Sequence, residues 1–506
     1  MGVAEQLRAY VPMLKWRTVL AAVLGLFIYS LSTLPSLKSI RGGEGATNAI
    51  VSEERVVKGA QESDQRHVAD RKGFSAAIYA RPTFHEEVVS TMACMLHDEG
   101  FHVSVYIGSG ITLGRISLPF SHKRERESAL FYGSCVDRWI TITYPLAKTS
   151  FIPNLDLLVF STYPIFSYSF AEDRVATSLL KYTAAKRKAG GKSTSVVLIS
   201  HRVNETMHEQ LGKIESYIPR NRLTLVFLSE HTELTMRDML ANWSIPYARV
   251  NADNMAEMTL EKDMDNYQLS HFFPILPFHQ IGAWSNGDIM SDTYNKIWGA
   301  VGPRVDTKTF QHGQVFSIQG NFGGRHAHRK DIKGTVECLR DLELGSEDQG
   351  MSGSMVTGPV HLDLIGHVIG HVETGELRHG KIRFLRDLTS SNYYKAIANT
   401  HFLIAAVAEP DYYCCRATSS VPAALITGTP LVARKDFLAY YPCLNSAAIH
   451  TLIAKETECE SIKAARELTL EQYLWAREEI KNCSAQFYTE GRRLLRAFAE
   501  RARVSD

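Results

Sequence analysis

The chain has little excess charge and few cysteines, and both shortages exclude whole classes of protein. Among 506 residues, 56 lysines and arginines are matched by 54 aspartates and glutamates, so the net charge is only +2. Nucleic-acid binding draws on clustered basic charge, which this balance does not supply. Eight cysteines are too few for a dense disulfide scaffold, and the absence of any C-x-x-C pair argues against structural zinc. We therefore expect no nucleic-acid partner and no bound metal.

With 22% of its residues charged, the chain has too few long apolar runs for a protein with many membrane spans. Residues 18–37 are uncharged and mostly apolar, and about 20 such residues cross ~30 Å of hydrocarbon as a helix. Arg8, Lys15 and Arg17 precede this run, and leading positive charge favours a cytoplasmic N-terminus. We expect a cytoplasmic tail over 1–17 and a single-pass type II membrane anchor over 18–37. A cleaved signal peptide is the alternative.

The segment after the apolar run, residues 38–72, contains no aromatic residue and is rich in polar ones. It cannot bury enough apolar surface to offset its ordering entropy, so it predicts a flexible stalk. Glycosylation sequons follow at Asn204, Asn242 and Asn482. They agree with a glycoprotein whose body lies in the lumen of the Golgi apparatus or endoplasmic reticulum. Some cysteines could pair there, but their spacing leaves the connectivity open.

From residue 73 onward, short apolar runs alternate with helical patterns, which is typical of βαβ units with a parallel sheet. The runs are continuously apolar, as expected of strands that are covered on both faces. The sequence predicts strands at 74–80, 102–107, 155–160, 195–200 and 223–228, with a helix over 84–99. We interpret 73–265 as a Rossmann-like domain, and the aromatic-rich stretch 266–313 as a connector with short helices.

A second α/β series begins at Gln314. The sequence predicts strands at 315–319, 359–365, 382–385, 401–407 and 431–433, and helices at 329–342, 390–398 and 421–427. We interpret 314–480 as a second Rossmann-like domain and 481–506 as a C-terminal helix. The expected fold class is therefore α/β, with two Rossmann-like domains on either side of a cleft. Ligands of such sheets bind outside the carboxyl ends of the strands.

The second half carries the most specific pattern, IRFLRDLTSSNYYKAIANTHFLIAAVAEP followed by TSSVPAALITGTPLVARKDFLAYYP, over residues 382–442. It resembles the donor-binding half of GT-B nucleotide-sugar transferases, especially the large retaining family and its divergent, membrane-anchored fungal members. The resemblance extends more loosely over 73–500. It implies a GT-B fold with the donor site in the second domain and the acceptor site in the first. It also implies catalysis without a cofactor, the nucleotide diphosphate sugar being a co-substrate.

The expected donor site includes the start of the helix predicted at 421–427. Ser419, Ser420 and Val421 supply hydroxyls and free backbone N–H groups at a helix N-terminus, where the positive potential favours a diphosphate. The alternative is that one of the two serines merely caps an ordinary helix.

The loop after the first strand of the second half supplies the other donor-site candidates. Gly320 and Gly323 permit close backbone approach to a ligand. The resemblance implies that a basic pair at this place, Arg325 and Lys330, neutralises the donor diphosphate. A register shift of one residue would put Arg329 in place of Lys330. The alternative is a solvated basic loop.

The sequence departs from the resembled family at its carboxylates. The family usually carries two glutamates around the loop and helix that follow the fourth strand of this half. Glu409 is a catalytic candidate for the first, although its spacing does not match. The second would fall near Ala423, where no carboxylate exists. This departure leaves stereochemistry, donor sugar and activity open.

The first half offers weaker candidates, each a polar residue at a predicted strand's carboxyl end. His85 and His201 are the pair that we expect to contribute acceptor contacts or a general base. Glu230 and His231 hold a similar position. Any one of them is alternatively a capping or surface residue.

The leading hypothesis from the sequence is a glycosyltransferase that moves a sugar from a nucleotide diphosphate donor to a glycan, protein or lipid acceptor in the secretory pathway. The alternative is a catalytically inactive binding or scaffold protein on the same fold. An epimerase or hydrolase with related lobes is a third, weaker hypothesis.

Overall fold

The structure is a computed structural model whose described residues form one compact unit within Asp70–Asp506. The described residues are 73–80, 86–108, 135–142, 155–163, 170–188, 194–251, 266–271, 310, 313–348, 358–386, 388, 390–446 and 452–504. The expected tail, anchor and stalk over 1–72, and most of the expected connector, lie outside these residues.

Within the described residues, the first half of the chain forms a sheet of eight parallel strands. The strands are β1 Ser75–Ala80, β2 His102–Gly108, β3 Arg138–Ile142, β4 Leu157–Tyr163, β5 Ser195–Ser200, β6 Leu223–Phe227, β7 Tyr247–Arg249 and β8 Tyr267–His271. The helices are α1 Glu86–Asp98, α2 Phe170–Lys188, α3 Met207–Glu215 and α4 Glu230–Asn242. The strand order is β3-β2-β1-β4-β5-β6-β8-β7, whose first five strands follow the Rossmann arrangement.

The second half repeats this arrangement in a sheet of five parallel strands among the described residues, in the order β11-β10-β9-β12-β13. The strands are β9 Gln314–Phe322, β10 Val360–Val368, β11 Ile382–Arg386, β12 Phe402–Ile404 and β13 Leu431–Val432. The helices are α5 Ile332–Asp348, α6 Ser390–Ala398, α7 Ser420–Thr427, α8 Lys435–Leu438, α9 Pro442–Ser446, α10 Glu458–Arg466 and α11 Leu470–Val504. The predicted α/β class with two parallel sheets is confirmed.

The central strands are buried on both faces, which explains their continuously apolar sequences. All six residues of β5 and all five of β6 are buried. Burial of such side chains contributes roughly 25 cal/mol per Å² of apolar surface removed from water. One apolar cluster joins residues of both sheets, because α11 packs against α7 of the second half and against α1 of the first.

Helix α11 also makes polar contacts with the first half. The Tyr488 hydroxyl donates a 2.9 Å hydrogen bond to Asp98, and Arg492 forms a 2.7 Å ion pair with Glu99. Helix α11 therefore links the second half of the chain to the first through both apolar and polar contacts.

Several sequence predictions need correction. The expected connector begins with β8, which pairs with β6 in the first sheet, so the first Rossmann-like sheet continues past residue 265. Tyr267 and Leu269 fill the core on one side of β8, and five residues are too few for a clear period. Strands β3 and β7 were not predicted. The strand expected over 401–407 covers only Phe402–Ile404.

The predicted C-terminal helix over 481–506 is the second part of a longer helix, α11, which begins at Leu470. Its start carries a capping box, because the Thr469 hydroxyl accepts from the Gln472 N–H while the Gln472 side chain accepts from the Thr469 N–H. Tyr473, Ala476 and Ile480 are buried at helical spacing. The sequence therefore held the evidence for the earlier start.

The cysteines are paired as Cys94–Cys135, Cys338–Cys459, Cys414–Cys415 and Cys443–Cys483. The second pair joins α10 to α5, and the fourth joins α9 to α11. None of the described helices is long and apolar enough to cross a membrane.

Candidate active site

The candidate site lies where β9 and β12 end, at the centre of the second sheet. These two strands are neighbours, and the strand order reverses between them. A crevice at such a reversal is where open α/β sheets bind their ligands. The two loops also contact each other, because Lys330 and Val407 form an antiparallel bridge and the Asp331 N–H donates to the Ala406 carbonyl.

Glycine is required where the chain leaves β9. Gly320 and Gly323 have φ values of 144° and 74°, which side-chain-bearing residues rarely adopt. A Cβ on Gly323 would lie 2.3 Å from the Ile369 carbonyl oxygen. The close approach of the loop to β10 therefore depends on this glycine. A short 3₁₀ helix over Gly324–Arg329 then carries the chain back toward the sheet.

Lys330 points into this site and is almost completely buried, with 8% of its surface exposed. Its ammonium group donates a 3.0 Å hydrogen bond to the Ser420 hydroxyl and a second bond to the Ala405 carbonyl. Burial lowers the pKa of Lys330 to about 8, and the nearby carboxylate of Glu458 opposes that shift. At neutral pH the side chain is therefore still mainly cationic.

Ser419 is the N-cap residue of α7, and Ser420 is the first residue of that helix. The Ser419 side chain makes no capping hydrogen bond. Instead the Gln319 amide donates to both hydroxyls, at 2.8 Å to Ser419 and 3.1 Å to Ser420. The end of β9 is thereby joined to the first turn of α7. Ser420 and Val421 are fully buried.

Glu458, a half-buried residue that the sequence analysis missed, holds the loop after β12 in place. The carboxylate of Glu458 accepts a 2.9 Å bond from the Ala406 N–H and a 3.2 Å bond from the Thr335 hydroxyl. Ala406 has a φ of 49°, a strained value for alanine, at the point where β12 enters its loop. Burial raises the pKa of Glu458 to about 7, while Lys330 nearby lowers it.

Glu409 lies beyond Ala406 in the same loop and is held by cations. It forms a 3.0 Å ion pair with Arg416 and lies 3.8 Å from both Arg329 and His328. The Nε atom of Arg329 is buried without a hydrogen-bond partner. Arg329, the rival to Lys330 in the sequence analysis, therefore lies beside Glu409, while Lys330 contacts Ser420.

The remaining predicted residues have different outcomes. Arg325 lies in the 3₁₀ helix after β9, but its side chain is outside the described part of the structure, so its contact with a ligand stays a prediction. His85 also lies outside the described residues. Ala423 is buried within α7, so no side chain of that helix supplies the missing carboxylate there.

His201 lies at the end of β5, as predicted, and contacts the second half. Its backbone carbonyl accepts the Ala417 N–H at 3.0 Å. Its Nε2 atom is 3.1 Å from the Ser161 carbonyl, which makes Nε2–H the donor and leaves Nδ1 as the basic nitrogen. A catalytic role for His201 stays a prediction.

The missed residues carried only weak signals in the sequence. Glu458 follows Thr457 at the start of α10, where T-x-x-E forms a capping box, and that motif marks a helix start without indicating a site. Gln319 is buried near the end of β9, and a buried amide needs partners that only the fold can supply. Tyr393 donates to the Gln319 side chain, so this network extends to α6.

The arrangement suits an anionic, phosphate-like group. An ammonium group, two hydroxyls and the first turn of a helix meet at one point, and a helix N-terminus attracts anions. Fixed cations and dipoles of this kind stabilise charge that develops on a leaving group.

No protein-family model matches the chain, and no curated protein matches it either. Several solved structures are similar. Sucrose-phosphate synthase from Thermosynechococcus elongatus is 12% identical, with 85% of this chain and 97% of that chain covered and a TM-score of 0.39. Anabaena Alr3699/HepE, solved with UDP and glucose, is 10% identical, with coverages of 86% and 99% and a TM-score of 0.41. A mutant O-GlcNAc transferase from Thermobaculum terrenum is 11% identical, with coverages of 87% and 70% and a TM-score of 0.38.

Proposed function

We propose that this chain is a glycosyltransferase of the GT-B type, which moves a sugar from a nucleotide diphosphate sugar to a glycan, protein or lipid acceptor. The observation that carries the proposal is the 3.0 Å contact between Lys330 and Ser420 at the first turn of α7. It lies at the strand-order reversal of a Rossmann-like sheet, and the motif pattern over 382–442 supports the same assignment.

The donor diphosphate is proposed to lie against Ser420 and Val421, with Lys330 as its buried cation. Two of the three N–H groups of the Lys330 ammonium already donate hydrogen bonds, to Ala405 and Ser420. The third is left for a phosphate oxygen. Arg329 supplies a second buried donor without a hydrogen-bond partner. Arg325 is proposed to add charge from the loop. As the sugar leaves, the nucleotide diphosphate gains charge, which these groups would stabilise.

The test is nucleotide diphosphate binding to the full chain, measured by titration calorimetry with UDP, GDP and ADP. We expect Lys330→Met to weaken binding of the preferred nucleotide at least about tenfold, since a hydrogen bond to a charged group contributes roughly 1.5–3 kcal/mol. Lys213→Met is the matched control, because the Lys213 side chain is exposed on α3 and pairs with Glu209 on the same helix. No binding of any of the three at millimolar concentration to the unaltered chain would refute the proposal.

The pH dependence gives a second check on Lys330. An anionic ligand prefers the protonated amine, so binding should weaken as pH rises through the free-state pKa of about 8. Lys330→Met should lack this loss between pH 8 and 10. A wild-type affinity that stays constant over that range would place the diphosphate elsewhere.

A non-catalytic binding protein is the second candidate. It is favoured by Ala423, buried where the resembled family carries a carboxylate, and by the pairing of Glu409 with Arg416. Incubation with nucleotide sugars and chromatographic detection of released nucleotide separates the two. Binding without any release, with or without glycan acceptors, would favour the second candidate. Release of free sugar without an acceptor would favour a hydrolase.

We further propose that the body is a glycoprotein domain in the lumen of the secretory pathway, anchored through residues 18–37. Four cysteine pairs suit an oxidising compartment. Asn242 and Asn482 are exposed, and Asn204 is half-buried. Glycosidase treatment of the chain from eukaryotic cells should reduce its apparent mass, and Asn242→Gln should remove part of that shift. A chain of unchanged mass would count against this location.

A further inference from the structure

One loop of the second half lies directly on the first half. We call residues 409–417 the docking loop. The Val203 N–H donates to the Cys415 carbonyl at 2.8 Å, and the Ala417 N–H donates to the His201 carbonyl at 3.0 Å. Arg202 pairs with Asp411 at 2.7 Å. The Thr235 hydroxyl donates to the Cys414 carbonyl at 2.7 Å. The segment after β5 and helix α4 therefore hold this loop, mainly through its backbone.

Both ends of the docking loop belong to the candidate site. It begins at Glu409, which pairs with Arg416 and lies beside Arg329. It ends directly before Thr418, whose hydroxyl accepts the Ser420 N–H at 3.2 Å. Movement of the loop against the first half would therefore shift the first turn of α7.

His231 lies at the centre of this contact. Its Nε2 atom is 3.1 Å from the carbonyl oxygen of Arg416, with Ser229 Oγ at 3.4 Å. Its ring packs on Tyr440 at a centroid distance of 4.8 Å, and only 2% of the residue is exposed. Because the carbonyl can only accept, Nε2 carries the proton. Nδ1 is buried and has no hydrogen-bond partner.

The acidic groups on the surrounding elements are engaged elsewhere. On α4, Glu230 and Glu233 lie beside Arg249, and Glu233 also binds His271. On the docking loop, Asp411 pairs with Arg202 and Glu409 with Arg416. His201 at the end of β5 bonds to Ser161, and Tyr440 and Tyr441 pack on the ring. A proton on Nδ1 of His231 would therefore be buried without an acceptor, which is unfavourable.

We propose that His231 is a positioning residue for the donor site, and that its neutral imidazole holds the docking loop against the first half while protonation releases the loop. The effect on the donor rests on the proposed function, whereas the contact between His231 and the docking loop does not. Burial lowers the pKa of His231, so the neutral form dominates near neutral pH. Donor affinity is then lost on acidification below the ordinary titration range of histidine.

The first test compares UDP, GDP and ADP affinities of full-length chains between pH 7.5 and 5.0. His231→Gln keeps an N–H donor at the place of Nε2 but does not titrate, whereas His231→Phe keeps the ring and loses the donor. We expect wild type to lose about fivefold more affinity than His231→Gln on acidification, the size of one hydrogen bond. His231→Phe should bind about fivefold more weakly already at pH 7.5. His208→Gln, on the exposed side of α3, is the control. Superimposable profiles of wild type and His231→Gln would overturn the proposal.

The second test needs no nucleotide. Hydrogen exchange of the docking-loop amides, above all Ala417, should quicken in wild type relative to His231→Gln as pH falls, after correction for intrinsic rates. Faster loop exchange without nucleotide binding at any pH would support the role of His231 and refute the proposed function. Equal exchange in the two chains would refute the role of His231 even if nucleotide binds.

Discussion

Lys330, His231 and His401 are all buried, yet the consequence for each depends on its partners. Lys330 keeps a hydroxyl and a carbonyl as acceptors, so its charge is compatible with burial. A second proton on His231 would sit on Nδ1, which has no hydrogen-bond partner. On His401 it would have to sit on Nδ1, which already accepts the Val315 N–H, so protonation of either ring would bury a charge with no acceptor. Burial lowers the pKa of a base because its charged form loses hydration. The pKa falls further when the protein supplies no hydrogen-bond acceptor in exchange.

His401 should make the second half sensitive to acid. Its Nδ1 accepts the Val315 N–H at 2.9 Å, and burial together with Arg477 lowers its pKa to about 4. The unfolded chain takes up this proton near pH 6.5, so stability is complete above that value and falls as pH drops toward 4. The loss should approach about 3 kcal/mol. Denaturant titration across this range should show a smaller loss for His401→Asn, which keeps an acceptor near Nδ1. Parallel curves would contradict this.

Among the elements, the loop after β9 is the one whose conformation the candidate site requires. Its geometry depends on a glycine at a positive φ and on close backbone contact with β10. The loop after β10 contains a glycine of the same φ with open space around it. Comparing substitutions at Gly323 and Gly370 therefore separates the free-energy cost of backbone strain from that of steric contact.

Gly323→Ala and Gly370→Ala should differ although both residues have a φ of 74°. Nothing lies within 4 Å of a Cβ on Gly370, whereas one on Gly323 would meet the Ile369 carbonyl at 2.3 Å. Gly370→Ala should cost about 1 kcal/mol of unfolding free energy. Gly323→Ala should cost roughly 2 kcal/mol or more and should also weaken nucleotide diphosphate binding. Equal changes in denaturation midpoint would show that the loop adapts to the added methyl group.

At the level of the whole molecule, the two halves are joined by the docking loop and by α11. The helix packs its apolar side on both halves, and Arg492 adds an ion pair to Glu99. Shared apolar burial of this kind couples the unfolding of two lobes into one transition.

Truncation after Gln486 should separate the two halves thermally. It removes Tyr488, Leu495 and Phe498, all buried in the cluster that both sheets share, and it leaves the Cys443–Cys483 pair in place. Calorimetry should show a second, lower transition beside the main one. The matched control is truncation after Val504, at the end of the helix. A single unshifted transition in the shorter chain would mean that α11 does not couple the halves.

In the first sheet the sequence predicted the central strands and missed both edge strands, whereas in the second sheet it also predicted the edge strands β11 and β13. Strand β5 was predicted with its observed bounds, and β1 and β6 to within a residue, because burial on both faces requires an unbroken apolar run. Strands β3 and β7 are edge strands, where one side has no partner strand and the pattern weakens. Strand β8 mixes polar and apolar residues, yet Gln268 is buried because Thr224 and the Asn221 carbonyl satisfy its amide.

The candidate site was predictable only in part. Local patterns along the chain placed Ser419 and Ser420 at a helix start and two glycines in the loop after β9. The family resemblance pointed to Lys330 in that loop, and the role of these residues in binding stays a prediction. The partners of these residues come from distant segments. Gln319 is about 100 residues from Ser420, and Glu458 reaches Ala406 over 52 positions.

The sequence by itself determined the parallel α/β architecture, since hydrophobic periodicity is a local consequence of burial. Only the tertiary structure decided which cation meets Ser420, which carboxylate holds Ala406 and which histidine holds the docking loop. The physical reason is that hydrogen bonds and ion pairs act over a few ångströms in space, without regard to separation along the chain.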